Sequence, residues 1–171
     1  MIIREVKEGD VSALSELAGK TYAETFGDGL TPEQLSSVME STRSERYFRS
    51  KIDTDTILVA LDDGRLVGYI QIGEVGYDVE GVKMTDRDQA IHSLYVHSDF
   101  QGKGVGKSLM DAAFAYPRIR KAENVYVDVY KANTRAFNFY YNYGFRAVGK
   151  VEVLIEGESI GFDLIMMKPS G

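Results

Sequence analysis

The N-terminal third of the chain contains one strand pattern followed by two helical patterns. Hydrophobic and charged positions alternate over residues 1–6, as they do in an edge strand. Over residues 11–22 the apolar side chains recur near the helical period of about 3.6 residues, which predicts a helix capped by Asp10. A second helix is predicted to run from Thr31, which is followed by a proline and then a glutamine, toward Met39.

The rest of the chain alternates between strand and helix patterns. A polar stretch that carries Tyr47 and Phe48 is assigned no element, and the Asp-Gly pair at 63–64 predicts a β-hairpin turn. Pro117 and Gly144 end two helical patterns. The predicted elements are strands at 56–61, 65–72, 91–96 and 124–130, helices at 104–116 and 134–143, and a terminal hairpin at 149–168.

Length and composition are those of one compact domain over residues 1–171, without repeats or linkers. The chain has no cysteine and two histidines, so disulfides, thiolate metal sites and a cysteine nucleophile are excluded and no metal site is expected. The formal net charge of −6 argues against a nucleic-acid partner and favours cationic small molecules. Because the first residues are charged and no apolar run is long enough to span a bilayer, no membrane contact and a cytoplasmic location are expected.

The segment QGKGVGKS at residues 101–108 invites comparison with the phosphate loop of nucleotide hydrolases. Gly106, Lys107 and Ser108 match the end of that loop, and Asp128 at the end of a strand imitates a magnesium ligand. The first glycine of the motif is missing, however, because Gln101 stands in its place. Without that glycine the backbone cannot follow the path that the loop requires, so the hydrolase remains a minor alternative.

A second interpretation uses the same glycines to bind a diphosphate. Gly102, Gly104 and Gly106 leave backbone N–H groups uncovered where a helix begins, so its positive dipole end and free donors can face an anion. Lys103 and Lys107 add positive charge nearby. Taken by itself, the segment favours a diphosphate site, with a glycine-rich turn that binds nothing as the alternative.

A second motif, NTRAFNFYYNYGF at residues 133–145, decides between these interpretations. With the strand ending LYV and the loop QGKGVG, it resembles the GNAT superfamily of acetyl-CoA-dependent N-acetyltransferases over residues 91–145. The resemblance implies an α/β (mixed α+β) fold. Its central sheet is mixed, largely antiparallel and twisted, has about seven strands and is flanked by about four helices. It also implies that strands 91–96 and 124–130 diverge and hold the coenzyme between them, with acetyl-CoA as co-substrate.

The family pattern assigns coenzyme contacts to the strand, the loop and the following helix. The implied contacts are Leu94, Tyr95, Val96, Gln101, Gly102, Lys103, Gly104, Val105, Gly106, Lys107, Asn133, Ala136 and Tyr140. The strand would pair with pantetheine through its backbone, and an N–H near Val96 would stabilise the oxyanion of the tetrahedral intermediate. Because the chain lacks cysteine, the amine is expected to attack the thioester directly, without an acyl-enzyme.

Two side chains are candidates for proton transfer. Tyr140 occupies the family's tyrosine position and would hydrogen-bond to the departing thiolate, although aromatic neighbours make core packing an alternative role. His92 stands where many relatives carry glutamate and could accept the amine proton, but its alternation with Leu94 and Val96 also fits a half-buried histidine without a catalytic role. His97, at the strand end, is expected at the surface.

The acceptor amine is the least determined part of the prediction. The segment at 22–27 is similar to the PaiA-like polyamine acetyltransferases, and the acidic balance favours a polyamine or another small cationic amine. A protein N-terminus, a lysine side chain or a catalytically weak relative that only binds coenzyme A are the alternatives, and terminal strands in such folds often pair into homodimers. Carboxylates that could bind the amine, or merely be solvated, are Glu24, Asp28, Glu33, Asp78, Glu80, Asp86 and Asp88.

Overall fold

A computed structural model describes all residues of the chain, 1–171. The strands are β1 (Ile2–Glu5), β2 (Thr56–Asp62), β3 (Arg65–Glu74), β4 (Gln89–Val96), β5 (Asn124–Tyr130), β6 (Arg146–Ile155) and β7 (Glu158–Pro169). The helices are α1 (Val11–Phe26), α2 (Pro32–Thr42), α3 (Glu45–Lys51), α4 (Val105–Ala115), α5 (Pro117–Arg120) and α6 (Thr134–Asn142). No helix combines the length and the apolar character that crossing a bilayer requires.

The seven strands form one sheet in the order β1-β2-β3-β4-β5-β7-β6. The β1–β2, β2–β3, β5–β7 and β6–β7 pairs are antiparallel, whereas β4 and β5 are parallel. The parallel ladder runs from Gln89 opposite Val125 to Ile91 opposite Val127, although β4 continues to Val96. This mixed α/β architecture confirms the predicted fold class, and the short ladder is what two diverging strands produce.

Two compact units make up the chain, and the first consists of Met1–Ile72 and Ser93–Ala115. In its buried core, one face of α1 packs against β2 and β3. Phe48 of α3 and Tyr69 of β3 are fully buried there. The buried positions of α1, among them Val11, Leu14 and Leu17, recur with helical spacing, which confirms the predicted amphipathic helix. Apolar burial of this kind is the main stabilising contribution to such a unit.

The second unit consists of Gly73–His92 and Tyr116–Gly171. It contains β5, β7 and β6, and a small core forms around Val79, Tyr126 and Ile165. Several partly buried residues of the segment between β3 and β4, including Val75 and Tyr77, pack against that core. This segment therefore covers one face of the β5–β7 pair.

Among α1, α2 and α3, the helix starts agree with the sequence prediction at one helix and differ from it at the two others. Asp10 does not cap α1, because its carboxylate accepts hydrogen bonds from Arg4 at 2.6 Å and from the backbone N–H of Lys7 at 2.7 Å. Thr31 does cap α2, and its reciprocal bonds with Gln34 complete the predicted capping box. The polar stretch after α2 forms the unpredicted helix α3, whose cap is Ser44.

Candidate active site

The glycine loop lies at the exposed N-terminal end of α4, as the sequence predicted. Gly102 has φ 75° and Gly104 has φ 81°, a backbone conformation that residues with a Cβ rarely adopt. Nothing lies within 4 Å of the space that a side chain would occupy at either position. The amides at this helix end have no acceptor within the helix, so they can donate to an anion that approaches from solvent.

Side chains around the loop have partners of their own. Gln101 donates a hydrogen bond of 3.0 Å to the carbonyl of Val96, which fixes the start of the loop to the end of β4. The ammonium of Lys107 lies 2.7 Å from the carboxylate of Asp111, and that of Lys103 lies over the Phe100 ring at 5.2 Å from its centroid. Both lysine ammonium groups thus have partners within the protein, although both side chains are exposed.

Helix α4 is seated against the sheet at Gly68 of β3. A Cβ at this position would lie 3.1 Å from the carbonyl oxygen of Tyr95, 3.2 Å from Leu109 and 3.3 Å from Val105. Val105 is itself buried, so it can offer the coenzyme only its backbone. This close packing of Val105 and Leu109 on β3 thus positions the first turns of α4, into which the loop leads.

Exposure alternates along only part of β4, because residues 89–91 are all buried and Tyr95 is half-buried like both of its neighbours. His92, Leu94 and Val96 are half-buried, whereas Ser93 between them is buried. The ring of Tyr95 stacks on Tyr69 at a centroid distance of 6.1 Å, and burial raises the pKa of its hydroxyl. Of the predicted β4 contacts, Tyr95 therefore directs its side chain into the protein and can serve the coenzyme only through its backbone.

The motif at the start of α6 folds as the sequence indicated. Asn133 caps the helix, accepting a hydrogen bond of 3.1 Å from the backbone N–H of Ala136. Tyr140 is 7% exposed, and its ring meets those of Phe139 and Phe145 edge to face, at centroid distances of 5.4 and 5.6 Å. A ring held in this way has a fixed orientation, which suits a hydrogen-bond donor whose position must not vary.

The predicted site residues divide between the two units. Leu94, Tyr95, Val96 and the loop at 101–107 belong to the first unit, whereas His92, Asn133, Ala136 and Tyr140 belong to the second.

One acidic candidate for amine binding has a structural role instead. Asp88 is 2% exposed, and its carboxylate accepts hydrogen bonds from the backbone N–H of Thr85 and from Asn124. Its lone pairs are thus engaged within the protein. The other acidic candidates named from the sequence, Glu24, Asp28, Glu33, Asp78, Glu80 and Asp86, are exposed.

A pair of carboxyl groups on β5 and β7 was not predicted as a site. Burial, followed by the negative charge of Asp128 and a hydrogen bond with it, raises the pKa of Asp163 to about 7. The hydroxyl of Tyr77 is buried, and burial together with the charges of these aspartates raises its pKa. Both aspartates interrupt apolar strands, which is a faint sequence signal, but only the register of β5 and β7 brings them together.

His97 is buried, whereas the sequence predicted it at the surface. It is 5% exposed, and donors from three parts of the first unit surround its ring. Its position directly after β4 made a surface location reasonable, because strand ends are usually solvated. Two of its partners are Lys20 on α1 and Arg65 on β3. Both lie far from His97 in the chain, so the sequence pattern could not predict these contacts.

Comparison with known proteins agrees with this geometry. Residues 16–145 match the model of the acetyltransferase (GNAT) family. The chain is 26% identical over 168 residues to an uncharacterized N-acetyltransferase of Lactobacillus delbrueckii subsp. lactis, covering 97% of this chain and 95% of the relative. It is 25% identical over 172 residues to the spermidine N(1)-acetyltransferase of Thermoplasma acidophilum, again covering 97% and 95%.

Solved structures show the same fold. The PaiA N-acetyltransferase of Thermoplasma acidophilum in complex with coenzyme A aligns over 98% of both chains with a TM-score of 0.78 and 22% identity. The ribosomal-protein-alanine N-acetyltransferase of Brucella melitensis aligns over 99% of both with a TM-score of 0.73 and 23% identity. The family match, the strand order and the glycine loop agree, and the chain belongs to the GNAT family of N-acetyltransferases.

Proposed function

We propose that this enzyme transfers the acetyl group of acetyl-CoA to the primary amine of a polyamine or another small cationic amine. The observation that carries the proposal is the similarity to a spermidine N(1)-acetyltransferase over nearly the full length of both chains. The net charge of −6 supports a cationic acceptor, because the field of the protein attracts cations and repels anions.

The coenzyme is held by the loop at 101–107, whose amides donate to the diphosphate. Gly102 and Gly104, both at positive φ, shape the backbone directly before α4, and the dipole of that helix adds to the attraction of its free N–H groups for the anion. The backbone of Leu94, Tyr95 and Val96 pairs with the pantetheine amides as a neighbouring strand would. Asn133 and Ala136 contribute contacts from the start of α6.

The chemical step is a direct attack of the neutral amine on the thioester carbon. The new C–N bond forms as the carbonyl oxygen takes up negative charge, and an N–H near Val96 stabilises that charge. The C–S bond then breaks, and the hydroxyl of Tyr140 donates a hydrogen bond to the departing thiolate. Before the attack, one proton of the substrate ammonium passes to His92, directly or through one water molecule; the second proton leaves the nitrogen to solvent water as the amide forms.

Carboxylates of the second unit favour a cationic acceptor over an anionic one. Asp128 and Asp163 place up to two negative charges on one face of the β5–β7 pair, next to the segment that carries Tyr77. An alkyl ammonium neutralises such a pair and keeps Asp163 ionised. An anionic acceptor would add to the electrostatic repulsion from Asp128 that already opposes ionisation of Asp163.

A thiol-release assay with a panel of amines tests the proposal. Free coenzyme A is measured after mixing enzyme and acetyl-CoA with spermidine, spermine, diamines, lysine or short peptides. We expect kcat/KM for at least one polyamine to exceed that for lysine or a peptide by about tenfold or more. Turnover confined to peptides would indicate a protein acceptor, and coenzyme binding without turnover of any amine would indicate a regulatory relative.

A further inference from the structure

His97 connects the end of β4 to the turn that opens the glycine loop. Its backbone N–H donates a hydrogen bond of 2.8 Å to the carbonyl of Val67 on β3. Its carbonyl accepts a bond of 2.8 Å from the N–H of Phe100, which closes the short turn Ser98–Phe100. Gln101 follows directly, so the conformation of His97 determines the direction in which the loop leaves the sheet.

The imidazole of His97 is surrounded by hydrogen-bond donors. Its Nε2 lies 3.2 Å from the ammonium of Lys20 on α1 and 3.0 Å from the guanidinium of Arg65 on β3. Its Nδ1 accepts a hydrogen bond of 3.2 Å from the backbone N–H of Asp99 and lies 3.7 Å from the carboxylate of the same residue. Neither Lys20 nor Arg65 takes part in any of the ion pairs with carboxylates.

A neutral imidazole carries its acceptor lone pair on only one of its two nitrogens. If Nδ1 carried it, the N–H at Nε2 would point at two cations. If Nε2 carries it, both cations can donate to the ring, but the neutral hydrogen bond from the backbone N–H of Asp99 to Nδ1 is given up, and the N–H at Nδ1 has the Asp99 carboxylate 3.7 Å away. Hydrogen bonds from charged donors are about twice as strong as neutral ones, which favours the second arrangement.

We propose that His97 is a positioning residue for the coenzyme loop, acting through Nε2 as the common acceptor for Lys20 and Arg65. These bonds hold the buried ring between α1 and β3. The fixed ring then orients the short turn Ser98–Phe100, from which the loop starts. The inference rests on the proposed role of the loop in binding the diphosphate. Its effect falls on coenzyme affinity rather than on the acetyl-transfer step.

Two isosteric substitutions separate the roles of the ring nitrogens. A glutamine places its amide oxygen near the position of Nε2, whereas an asparagine places it near that of Nδ1. His97→Gln should therefore keep coenzyme affinity within about threefold of the wild type, and His97→Asn and His97→Ala should weaken it by about tenfold. The double variant Lys20→Met/Arg65→Met should weaken binding as His97→Ala does, because Nε2 then has no donor.

The experiment combines calorimetric titration with coenzyme A and steady-state kinetics with acetyl-CoA. A control double variant, Arg46→Met/Lys83→Met, removes the same charge at exposed positions, so it reports any general loss of attraction for the anionic coenzyme. We expect that control to bind like the wild type. In the weakened variants KM for acetyl-CoA should rise about tenfold, with kcat within about twofold of the wild type.

The outcomes distinguish this inference from the proposed function. If the wild type does not bind coenzyme A, the proposed role of the loop fails and the inference fails with it. If the wild type binds and all His97 variants bind equally well, the inference alone is overturned. Rescue by asparagine rather than glutamine, or a lower kcat at unchanged KM, would also overturn it. Should His97→Ala not fold, the glutamine and asparagine variants decide.

Discussion

One carboxylate oxygen of Asp88 accepts two hydrogen bonds from Asn124, from its backbone N–H at 3.0 Å and from its side-chain amide at 3.1 Å. The other oxygen accepts the N–H of Thr85 at 2.8 Å. These bonds join the residue before β4 to the first residue of β5, where the parallel ladder begins. Asp88 therefore sets the start of the strand that carries His92.

Asp88→Ala leaves these donors without an acceptor in a buried place. We expect the variant to lose about 3 kcal/mol of unfolding free energy, because charged hydrogen bonds are lost and desolvated N–H groups remain. Urea unfolding followed by circular dichroism measures the loss. Asp86→Ala, at an exposed position close by, should stay within about 0.5 kcal/mol of the wild type. Equal stabilities of the two variants would contradict this role of Asp88.

Tyr140→Phe removes the hydroxyl and keeps the ring that packs against Phe139 and Phe145. We expect coenzyme binding to be unchanged and kcat at neutral pH to fall about tenfold or more, since the thiolate then leaves without a hydrogen bond. The matched control is Tyr141→Phe, which alters an exposed neighbour and should leave kcat unchanged. A Tyr140→Phe variant with wild-type turnover would remove this tyrosine from the mechanism.

His92→Gln tests the proton acceptor. If the imidazole accepts the amine proton, kcat/KM should fall about tenfold or more, and the acidic limb of its pH profile should lose the titration near pH 6 to 7 that is typical of histidine. The measurement is the pH dependence of kcat/KM for the amine at saturating acetyl-CoA. A profile that matches the wild type would assign the proton to another group or to water.

Gly104→Ala forces a residue with a Cβ into a φ of 81°. The expected cost is about 1–2 kcal/mol of strain, which the chain relieves by changing the loop conformation, so coenzyme affinity should fall about tenfold. Titration calorimetry gives the affinity. Gly9→Ala is a suitable control, because that glycine also has open space around it but lacks a positive φ. Unaltered affinity in Gly104→Ala would show that the loop amides do not bind the diphosphate.

The pair of Asp163 and Asp128 predicts a pH-dependent stability. Because the pKa of Asp163 is raised to about 7, the folded protein binds more protons than the unfolded chain between the ordinary carboxyl pKa of about 4 and this value. Stability from this group is therefore present below about pH 4 and is lost as pH rises toward 7.

Asp163→Asn removes that titration. We expect the variant to exceed the wild type in unfolding free energy by roughly 1 kcal/mol at pH 8, a value reduced for solvent screening of a partly exposed group, and to match it more closely at pH 4. Urea unfolding at both pH values makes the comparison. Asp78→Asn, at an exposed position, serves as the control. A difference between variant and wild type that does not change with pH would exclude a raised pKa at Asp163.

Sequence patterns predicted those parts of the fold that depend on neighbouring residues. The capping box of Thr31 and Gln34 and the asparagine cap at Asn133 are short-range bonds that residue spacing reveals. The prediction that Asp10 caps α1 was wrong, because Arg4 on β1 binds its carboxylate instead. Local spacing carries no information about such a competitor.

The same distinction applies to the site. The glycine loop and the Tyr140 motif are each a continuous segment of the chain, so their residue spacing was enough to reveal the resemblance to the family. The buried state of His97 and the carboxyl pair of Asp128 and Asp163 arise from contacts between elements far apart in the chain. Strand register and helix packing create those environments, and neither follows from hydrophobic periodicity.

The seat of α4 on Gly68 has a consequence for engineering this enzyme. The side chains of Val105 and Leu109 pack on the backbone at this glycine, and a methyl group at position 68 would already press on them and on the carbonyl of Tyr95. Redesign of the solvent-facing positions of α4, for solubility or immobilisation, should therefore leave this contact between helix and sheet intact. Any enlargement at position 68 would instead displace the N-terminal end of α4, where we propose that the coenzyme binds.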